Sequence, residues 1–404
     1  MLEPRTGLTA ETATCVGCGR QHPLSAHSAQ CNCPARDNLA IDIALGAAQA
    51  RAVRASTREG PSSLWRYAPL LPVAPHHASP LSVGWTPLVD CGPAGPAQLY
   101  LKDDTRLPSG SIKDRASEVV VAVARAQGID RLIVASTGNA AASLACIGAA
   151  CAMAVTVLVP ASAPPAKLAQ ARAYGARVHR IAGNYDDAFA MAGRIAAADG
   201  ALDRSTGRNP FTREGKKSCA FEIAEQLGWQ APEWVIVPTG DGNILSAIGK
   251  GFAELVTLGL IDRLPRLVAV QAAGSDGIAA RHNRAPRIPG TTIADSITVG
   301  APRDATAALT ALARSQGRAL VIGDDSIRAA VATLAARYGV FAEPSSAAAY
   351  AGFEALSASG CFAPGDRVVC LITGTGLKDL RAVSAADEAA AVDPADWRRL
   401  VARG

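Results

Sequence analysis

A single lysine, Lys113, stands in the run LPSGSIKDRAS, residues 107–117, among small polar residues and just ahead of a helical pattern. The chain has only seven lysines among its 40 basic residues, so an amine at this place is a choice against arginine. An ammonium can do what a guanidinium cannot: once desolvated, it loses its proton and adds to an aldehyde. Its ordinary pKa of about 10.4 has to fall for that to happen at neutral pH. The plainer role is a solvated helix-start residue paired with Asp114, and the segment alone leaves both open.

Three more stretches have the composition of anion-binding turns. VASTGNAAAS offers Ser136, Thr137, Gly138 and Asn139; VPTGDGNILSAIGKGF offers Gly240, Asp241, Gly242 and Asn243; LITGTGLKD offers Thr373, Gly374, Thr375 and Gly376. Glycines ahead of a helix leave several N–H groups converging on one point, which suits a phosphate or a carboxylate. The turn at 240–244 is the phosphate candidate. It is not a P-loop, because Gly-Lys-Ser/Thr is missing, and it is not a dinucleotide fingerprint. Each turn by itself reads as a plain helix cap. Three of them together with Lys113 point to an aldehyde cofactor that carries a phosphate. Such a cofactor needs an amine, a phosphate cradle and a partner for its pyridine nitrogen.

A different chemistry opens the chain. Cys15-x2-Cys18 and Cys31-x-Cys33 lie twelve residues apart in a short polar segment. Two close cysteine pairs resemble a zinc ribbon, in which tetrahedral thiolate coordination folds a piece too small to build its own core. Four unligated thiols in an empty knuckle are the other reading.

The elements that must position these residues follow from periodicity. A helix is expected near 37–54 and a proline-rich connector over 61–87. From about Arg115 onward helices and strands alternate: helix 119–127, strand 131–136, helix 139–150, strand AVTVLVP, helix 164–174, strand ARVHRIA and helix 185–198. Later, WVIVPTG, RLVAVQ, ALVIG and RVVCLITG read as buried strands between helices. β-branched runs separated by helices mean α/β architecture with parallel sheets. Two such groups, before and after about residue 210, predict two lobes with a site in the cleft between them. The uncharged run from Ala140 to Val159 is long enough to span a bilayer, but it breaks naturally into a buried helix and a buried strand.

At 404 residues the chain is long enough for two or three domains. A net charge of +5 with dispersed basic residues suits an anionic small molecule and falls far short of a nucleic-acid footprint. No secretory signal opens the chain, so the expected location is the cytoplasm, where ten cysteines are thiols or metal ligands rather than a disulfide framework.

These motifs resemble those of the threonine synthases, pyridoxal-phosphate enzymes of fold type II, the tryptophan synthase β-subunit-like fold. The resemblance runs almost end to end through the CxxC…CxC head, LWRYAPLLP, GWTPL, SGSIKDRAS, STGNAAAS, NPFTREGKKS, VPTGDGNI, TIADSITVGAPR, FAEPSSAA and TGTGLKD. It implies a two-lobed fold: a zinc-ribbon-like segment at 1–36, a large domain from 37–110 and 211–404, and a small domain at 111–210. It implies that Lys113 joins the pyridoxal 5'-phosphate aldehyde as a Schiff base and later moves protons. Asn139 would meet the cofactor's ring oxygen, Gly240, Asp241, Gly242, Asn243 and Ile244 would cradle its phosphate, and Thr373 would face its pyridine nitrogen. Ser136, Thr137, Asn139 and Ala140 would hold the substrate carboxylate, with Arg213 and either Lys216 or Lys217 as candidates for a substrate phosphate; a solvated helix start is the other place for both lysines. Cys15, Cys18, Cys31 and Cys33 would be the ligands of a structural zinc. The implied reaction turns O-phosphohomoserine and water into threonine and phosphate, in a homodimer that contacts neither nucleic acid nor membrane. The chain departs from the family at Thr212, where many members carry arginine, at Thr375, where histidine is expected, and in the short TGDGN form of its phosphate turn. Those departures leave room for a relative acting on another activated amino acid, cysteate-synthase-like or dehydratase-like.

Overall fold

The computed structural model describes residues 7–380, so the outer ends of the expected segments 1–36 and 211–404 lie beyond it. The head is a three-stranded antiparallel sheet of β1 (Thr12–Cys15), β2 (Gln21–Pro23) and β3 (Leu39–Ile41), in the order β2-β1-β3. Helix α1 (Ala47–Glu59) follows. The helix expected over 37–54 is thus a strand and then a later helix. Alternation in Leu39, Ala40 and Ile41 lets that segment pair with β1, and the helical pattern resumes only after Gly46.

The connector is not plain coil. Residues Leu64–Leu70 form a buried 3-10 turn, and the Trp65 indole donates to Glu118 Oε1 at 2.7 Å. A hairpin of β4 (Leu88–Ala94) and β5 (Ala97–Asp103) then appears where the glycines and prolines of CGPAGPAQ had masked any strand period. The remaining strands are β6 (Arg131–Ala135), β7 (Ala154–Pro160), β8 (Arg177–Ile181), β9 (Leu202–Asp203), β10 (Trp234–Pro238), β11 (Arg266–Ala272), β12 (Arg318–Ile322) and β13 (Arg367–Ile372). The helices are α2 (Lys113–Ala126), α3 (Asn139–Ala150), α4 (Pro165–Ala173), α5 (Tyr185–Asp199), α6 (Phe211–Gln226), α7 (Asn243–Thr257), α8 (Gly277–Asn283), α9 (Ala305–Arg314), α10 (Asp324–Tyr338) and α11 (Pro344–Ala358).

Two parallel sheets organise them, one in the order β8-β7-β6-β9 and one in the order β12-β11-β10-β13-β5-β4, with only the β4–β5 pair antiparallel in the larger sheet. Every residue of β10, WVIVP, is buried, as a central strand covered on both faces requires. The uncharged run at 140–159 resolves into α3 and β7, and among the described residues no helix is long and apolar enough to cross a membrane.

The helix that begins at Lys113 is fixed by buried charge and by one close crossing. Arg115 donates to Asp104 through Nε and Nη2, both at 2.8 Å, and to Glu222. Lys102 reaches Glu222 at 2.7 Å, and all four residues are at most 1% exposed. Helices α2 and α6 touch backbone to side face at Gly215, where a Cβ would stand 1.8 Å from the Arg115 carbonyl oxygen. Gly215→Ala is therefore expected to destabilise the fold. An overlap with backbone belongs at the upper end of the about 1–3 kcal/mol overpacking range, against about 1 kcal/mol gained in helix propensity. Chemical denaturation measures it; a midpoint at or above wild type would refute the crossing.

Candidate active site

Three chain turns at the carboxyl ends of strands converge on one cavity of about 490 Å³, a size that suits a cofactor-sized ligand. After β6, the turn into α3 brings Ser136, Thr137, Asn139 and Ala140 to its wall. After β10, the turn into α7 brings Gly240, Asp241, Gly242 and Ile244. Thr373 comes from just beyond β13, and Lys113 from the first position of α2. The Ile112 amide donates to the Thr373 carbonyl at 2.9 Å, which ties the lysine's helix start to the end of β13.

Lys113 meets the chemical requirement set by its sequence. Burial pushes its pKa below the ordinary amine value, nearby Arg204 adds to the effect, and Asp241 and Glu343 oppose it. Among the described residues no hydrogen bond or ion pair holds its Nζ, so the nitrogen is available to a carbonyl compound.

The 240–244 turn has the build of a phosphate cradle. Gly242 sits at φ 93°, a conformation that disfavours other residues, and a Cβ on Gly240 would stand 2.9 Å from Ile297 Cα. The Asn243 amide is satisfied by Asp241 Oδ1 at 3.0 Å, whereas the amides of Gly242, Ile244 and Leu245 have no acceptor among the described residues. Orphan N–H groups at the start of a 15-residue helix favour an anion. The Asn243 side chain turns away from the cavity: its Nδ2 donates to Asp304 Oδ2 at 3.1 Å and its Oδ1 accepts from Lys216 at 2.5 Å. It serves as a brace behind the turn.

Thr373 is 6% exposed, and its hydroxyl lies 3.0 Å from that of Ser346. Among the described residues no carboxylate is hydrogen-bonded to it. The Asn139 side chain donates from Nδ2 to Glu343 Oε1 and Oε2 at 3.0 and 3.1 Å, so Glu343 sets its orientation. Burial raises the pKa of Glu343, and the Asn139 hydrogen bond opposes the rise. No local pattern marks this carboxylate, which stands just ahead of the proline that opens α11 and makes no side-chain cap to that helix.

Two expected substrate residues are elsewhere. Arg213 pairs with Asp304 at 2.5 Å and donates to the Leu39 carbonyl at 3.0 Å. Lys217 is fully buried between Glu214 and Glu254, at 2.6 and 2.8 Å. Both charges are neutralised inside the protein, and neither lines the cavity. The helical period explains the miss: in α6 these two side chains face the packed interior, and spacing in NPFTREGKKS does not tell one face from another.

The cations beside Lys113 are Arg204 and Lys216, both wholly buried. Arg204 donates to Ser117 Oγ at 3.1 Å, Thr206 Oγ1 at 2.8 Å and the Lys113 carbonyl at 3.3 Å, and among the described residues no carboxylate contacts it. Burial lowers it to about 10. Lys216 has only the neutral Asn243 amide oxygen, and burial, helped by the charges of Lys113 and Arg204, depresses it well below the ordinary amine value. An arginine in LDRSTGRNP, with a second one four residues on, carries no sequence signal for such a place.

The comparisons agree with this geometry. The family described as pyridoxal-phosphate dependent enzyme matches residues 80–374. The chain is 37% identical over 385 residues to the threonine synthase of Methanocaldococcus jannaschii, covering 93% of this chain and 94% of that protein. It is 39% identical over 333 residues to the threonine synthase of Methanosarcina acetivorans, covering 80% and 81%. Among solved structures, maize serine racemase superimposes with a TM-score of 0.62 at 18% identity, covering 89% of this chain and 98% of that one. Threonine deaminase isoform 2 of Solanum lycopersicum gives 0.60 at 19%, covering 78% and 82%; at such identities the likeness is one of fold. The amine, the glycine cradle with its orphan amides and the hydroxyl at the end of β13 fit pyridoxal phosphate, and with these relatives they place the chain in the pyridoxal-phosphate dependent enzymes of fold type II, where it belongs to the threonine synthase family.

Proposed function

We propose that the chain converts O-phosphohomoserine and water into threonine and phosphate. The observation that supports this reading is the pair of buried basic side chains behind the cavity wall: Arg204, which donates to the lining residues Thr206 and Lys113, and Lys216, which donates to Asn243, neither with a carboxylate in contact among the described residues. An unpaired buried charge on Arg204 is costly, and burial drives Lys216 toward its neutral form; a site that must hold two phosphates, one on the cofactor and one on the substrate, supplies anions that favour the charged form of both.

Bound pyridoxal phosphate supplies an electron sink for charge that develops at the amino acid's α carbon. The residues of the chain do the rest. The amides of Gly242, Ile244 and Leu245 hold the cofactor phosphate, with Asn243 bracing the turn from behind. Ser136, Thr137 and Ala140, at the start of α3, bind the substrate carboxylate, and Asn139, oriented by Glu343, is directed at the cofactor ring. Lys113 Nζ, its pKa lowered by burial, takes the α proton and assists loss of a β proton. Phosphate then leaves Cγ, a proton adds to Cγ to make the methyl group, water adds its hydroxyl at Cβ, and a proton returns to Cα. Thr373 offers a hydroxyl to the pyridine nitrogen, which cannot keep that nitrogen protonated as a carboxylate would; this disfavours transamination and suits elimination and replacement. The fixed amides act where charge builds up, at little reorganisation cost.

One observation favours a second reading. Thr212 is buried and donates to the Asn209 carbonyl at 2.8 Å, so it adds no cation where many relatives have arginine. A substrate with a shorter arm, such as O-phosphoserine, is then the alternative. Phosphate release from each compound decides: we expect it from O-phosphohomoserine with threonine as product, and release from O-phosphoserine alone would overturn the first reading. The proposal also takes the chain to be a cytoplasmic homodimer with a lobe at 111–210 set against one built from 37–110 and 211–404. The two separate sheets support that division, and none of the ten cysteines is in a disulfide.

A further inference from the structure

We propose that Cys15, Cys18, Cys31 and Cys33 hold one zinc-class ion, and that this ion keeps the cofactor-phosphate turn in shape through the strand segment Asn38–Leu39 and Asp304. The sulfur geometry carries the first half. The four Sγ atoms all lie within 4.8 Å of one another, with Cys15–Cys33 at 3.9 Å and Cys18–Cys31 at 3.7 Å. Four sulfurs each about 2.3 Å from one tetrahedral ion are about 3.8 Å apart, whereas a disulfide needs about 2.05 Å. The His22 ring nitrogen lies 3.3 Å from Cys31 Sγ, in place to donate to a thiolate. Cys31 accepts nothing else from a side chain except through its cysteine neighbours, and its backbone amide donates to Asp37 at 2.9 Å, so the loop between the two cysteine pairs and β3 is closed around the sulfurs.

A continuous set of contacts carries the second half. Cys15 ends β1 and is paired in register with Leu39, and the Val16 amide donates to the Asn38 carbonyl at 3.0 Å. The Asn38 side chain donates to the Arg303 carbonyl and to Asp304 Oδ1, both at 3.0 Å, while the Leu39 carbonyl accepts Arg213, which also pairs with Asp304. Asp304 is 2% exposed and grips the cradle three times: its Oδ2 accepts from Asn243 at 3.1 Å and Ser246 at 2.6 Å, and its amide donates to the Asp241 carbonyl at 2.9 Å. The head is too small to fold on hydrophobic burial alone, so loss of the ion frees Asn38 and Leu39, Asp304 loses its Asn38 hydrogen bond while its partner Arg213 loses the Leu39 carbonyl, and the turn that presents its amides to phosphate loosens. Arg213, which sequence motifs place at the substrate, is a link in this brace.

The test compares the purified full-length protein with Cys18→Ser and Asn38→Ala. Cys18 is the exposed member of the four, so serine there disturbs packing least. Elemental analysis should find one zinc per wild-type chain and much less in Cys18→Ser. Equilibrium dialysis against pyridoxal phosphate should show Cys18→Ser holding it about tenfold more weakly, the scale of lost outer partners. Asn38→Ala should keep its zinc yet weaken the cofactor to a similar degree, with circular dichroism unchanged. Metal-free wild-type protein with four titratable thiols would overturn the site. Undiminished cofactor affinity in a zinc-depleted Cys18→Ser, or in Asn38→Ala, would overturn the coupling.

Discussion

Lys113→Ala is expected to fold, to take up pyridoxal phosphate without fixing it, and to lose turnover by about ten-thousandfold, the scale of removing a positioned acid–base group that also attaches the cofactor. The geometry makes the outcome specific. Among the described residues the Lys113 nitrogen has no partner, so its removal breaks no hydrogen bond there, and the amides proposed to hold the phosphate belong to another element, the start of α7. Borohydride treatment of wild type should attach a pyridoxyl group at Lys113, and the variant should release all its cofactor on unfolding. A variant that retains more than about a hundredth of wild-type turnover would show that another amine carries the chemistry, and Lys216 is the nearest candidate in kind. Lys113→Arg should be as inactive as the alanine variant, because the guanidinium keeps its charge yet cannot shed a proton to attack an aldehyde.

Glu222→Ala is expected to cost about 3–5 kcal/mol of stability, since it strips a buried ion-pair set of its central carboxylate. Glu222 accepts from Arg115 at 2.8 Å, from Lys102 at 2.7 Å and from the Thr86 amide at 3.2 Å, and its side chain is fully buried. Without it, Lys102 keeps only the Thr86 carbonyl and Gln226, and Arg115 keeps Asp104 and Ser218. The pH dependence has a fixed sign. Burial by itself raises the Glu222 pKa, but Arg115 and Lys102 overcome it and hold the group at about 2. A depressed carboxylate stabilises the fold fully above its unfolded value of about 4.3 and loses that contribution as pH falls toward the folded value. The gap between wild type and variant in denaturant midpoint should therefore be widest above about pH 5 and shrink as the pH drops toward 2. A gap under about 1 kcal/mol at pH 7 would mean that the network breaks even against its desolvation.

This network explains why LPSGSIKDRAS is more than a lysine in a turn. Arg115, two residues beyond Lys113, anchors the first turn of α2 to Asp104, just past the end of β5, and to α6, while Asp114 accepts from the Ser109 amide and hydroxyl at 2.6 and 2.5 Å. Asp114 is thus bound to the loop before it. The pairing of Lys113 with Asp114, the plainer sequence reading, is absent, and the amine is left to the cavity.

How much was legible depended on whether a signal was local. The β-strands at 131–135, 154–160, 234–238 and 266–272 were plain in the sequence because buried parallel strands are short, continuous, β-branched runs. The hairpin at 88–103 was hidden by its glycines and prolines, and β3 was taken for helix because three residues are too few to show a period. Lys113, the turn at 136–140 and most of the cradle at 240–244 line one cavity, each at the start of a helix, a place that local sequence signals can mark.

Amino-acid type and order by themselves determined which chemistry is available here: one amine able to lose its charge, glycines that bare helix-start amides, a hydroxyl beyond β13, and four thiols in two close pairs. Only the tertiary structure decided how the charges are spent. It buried Arg213 against Asp304 and Lys217 between two glutamates, left Arg204 and Lys216 without carboxylates beside the lysine, and set Glu343 on Asn139 from more than 200 positions away. The reason is physical: the cost of a buried charge depends on which groups the fold brings within about 3–4 Å of it, and those neighbours come from distant parts of the chain.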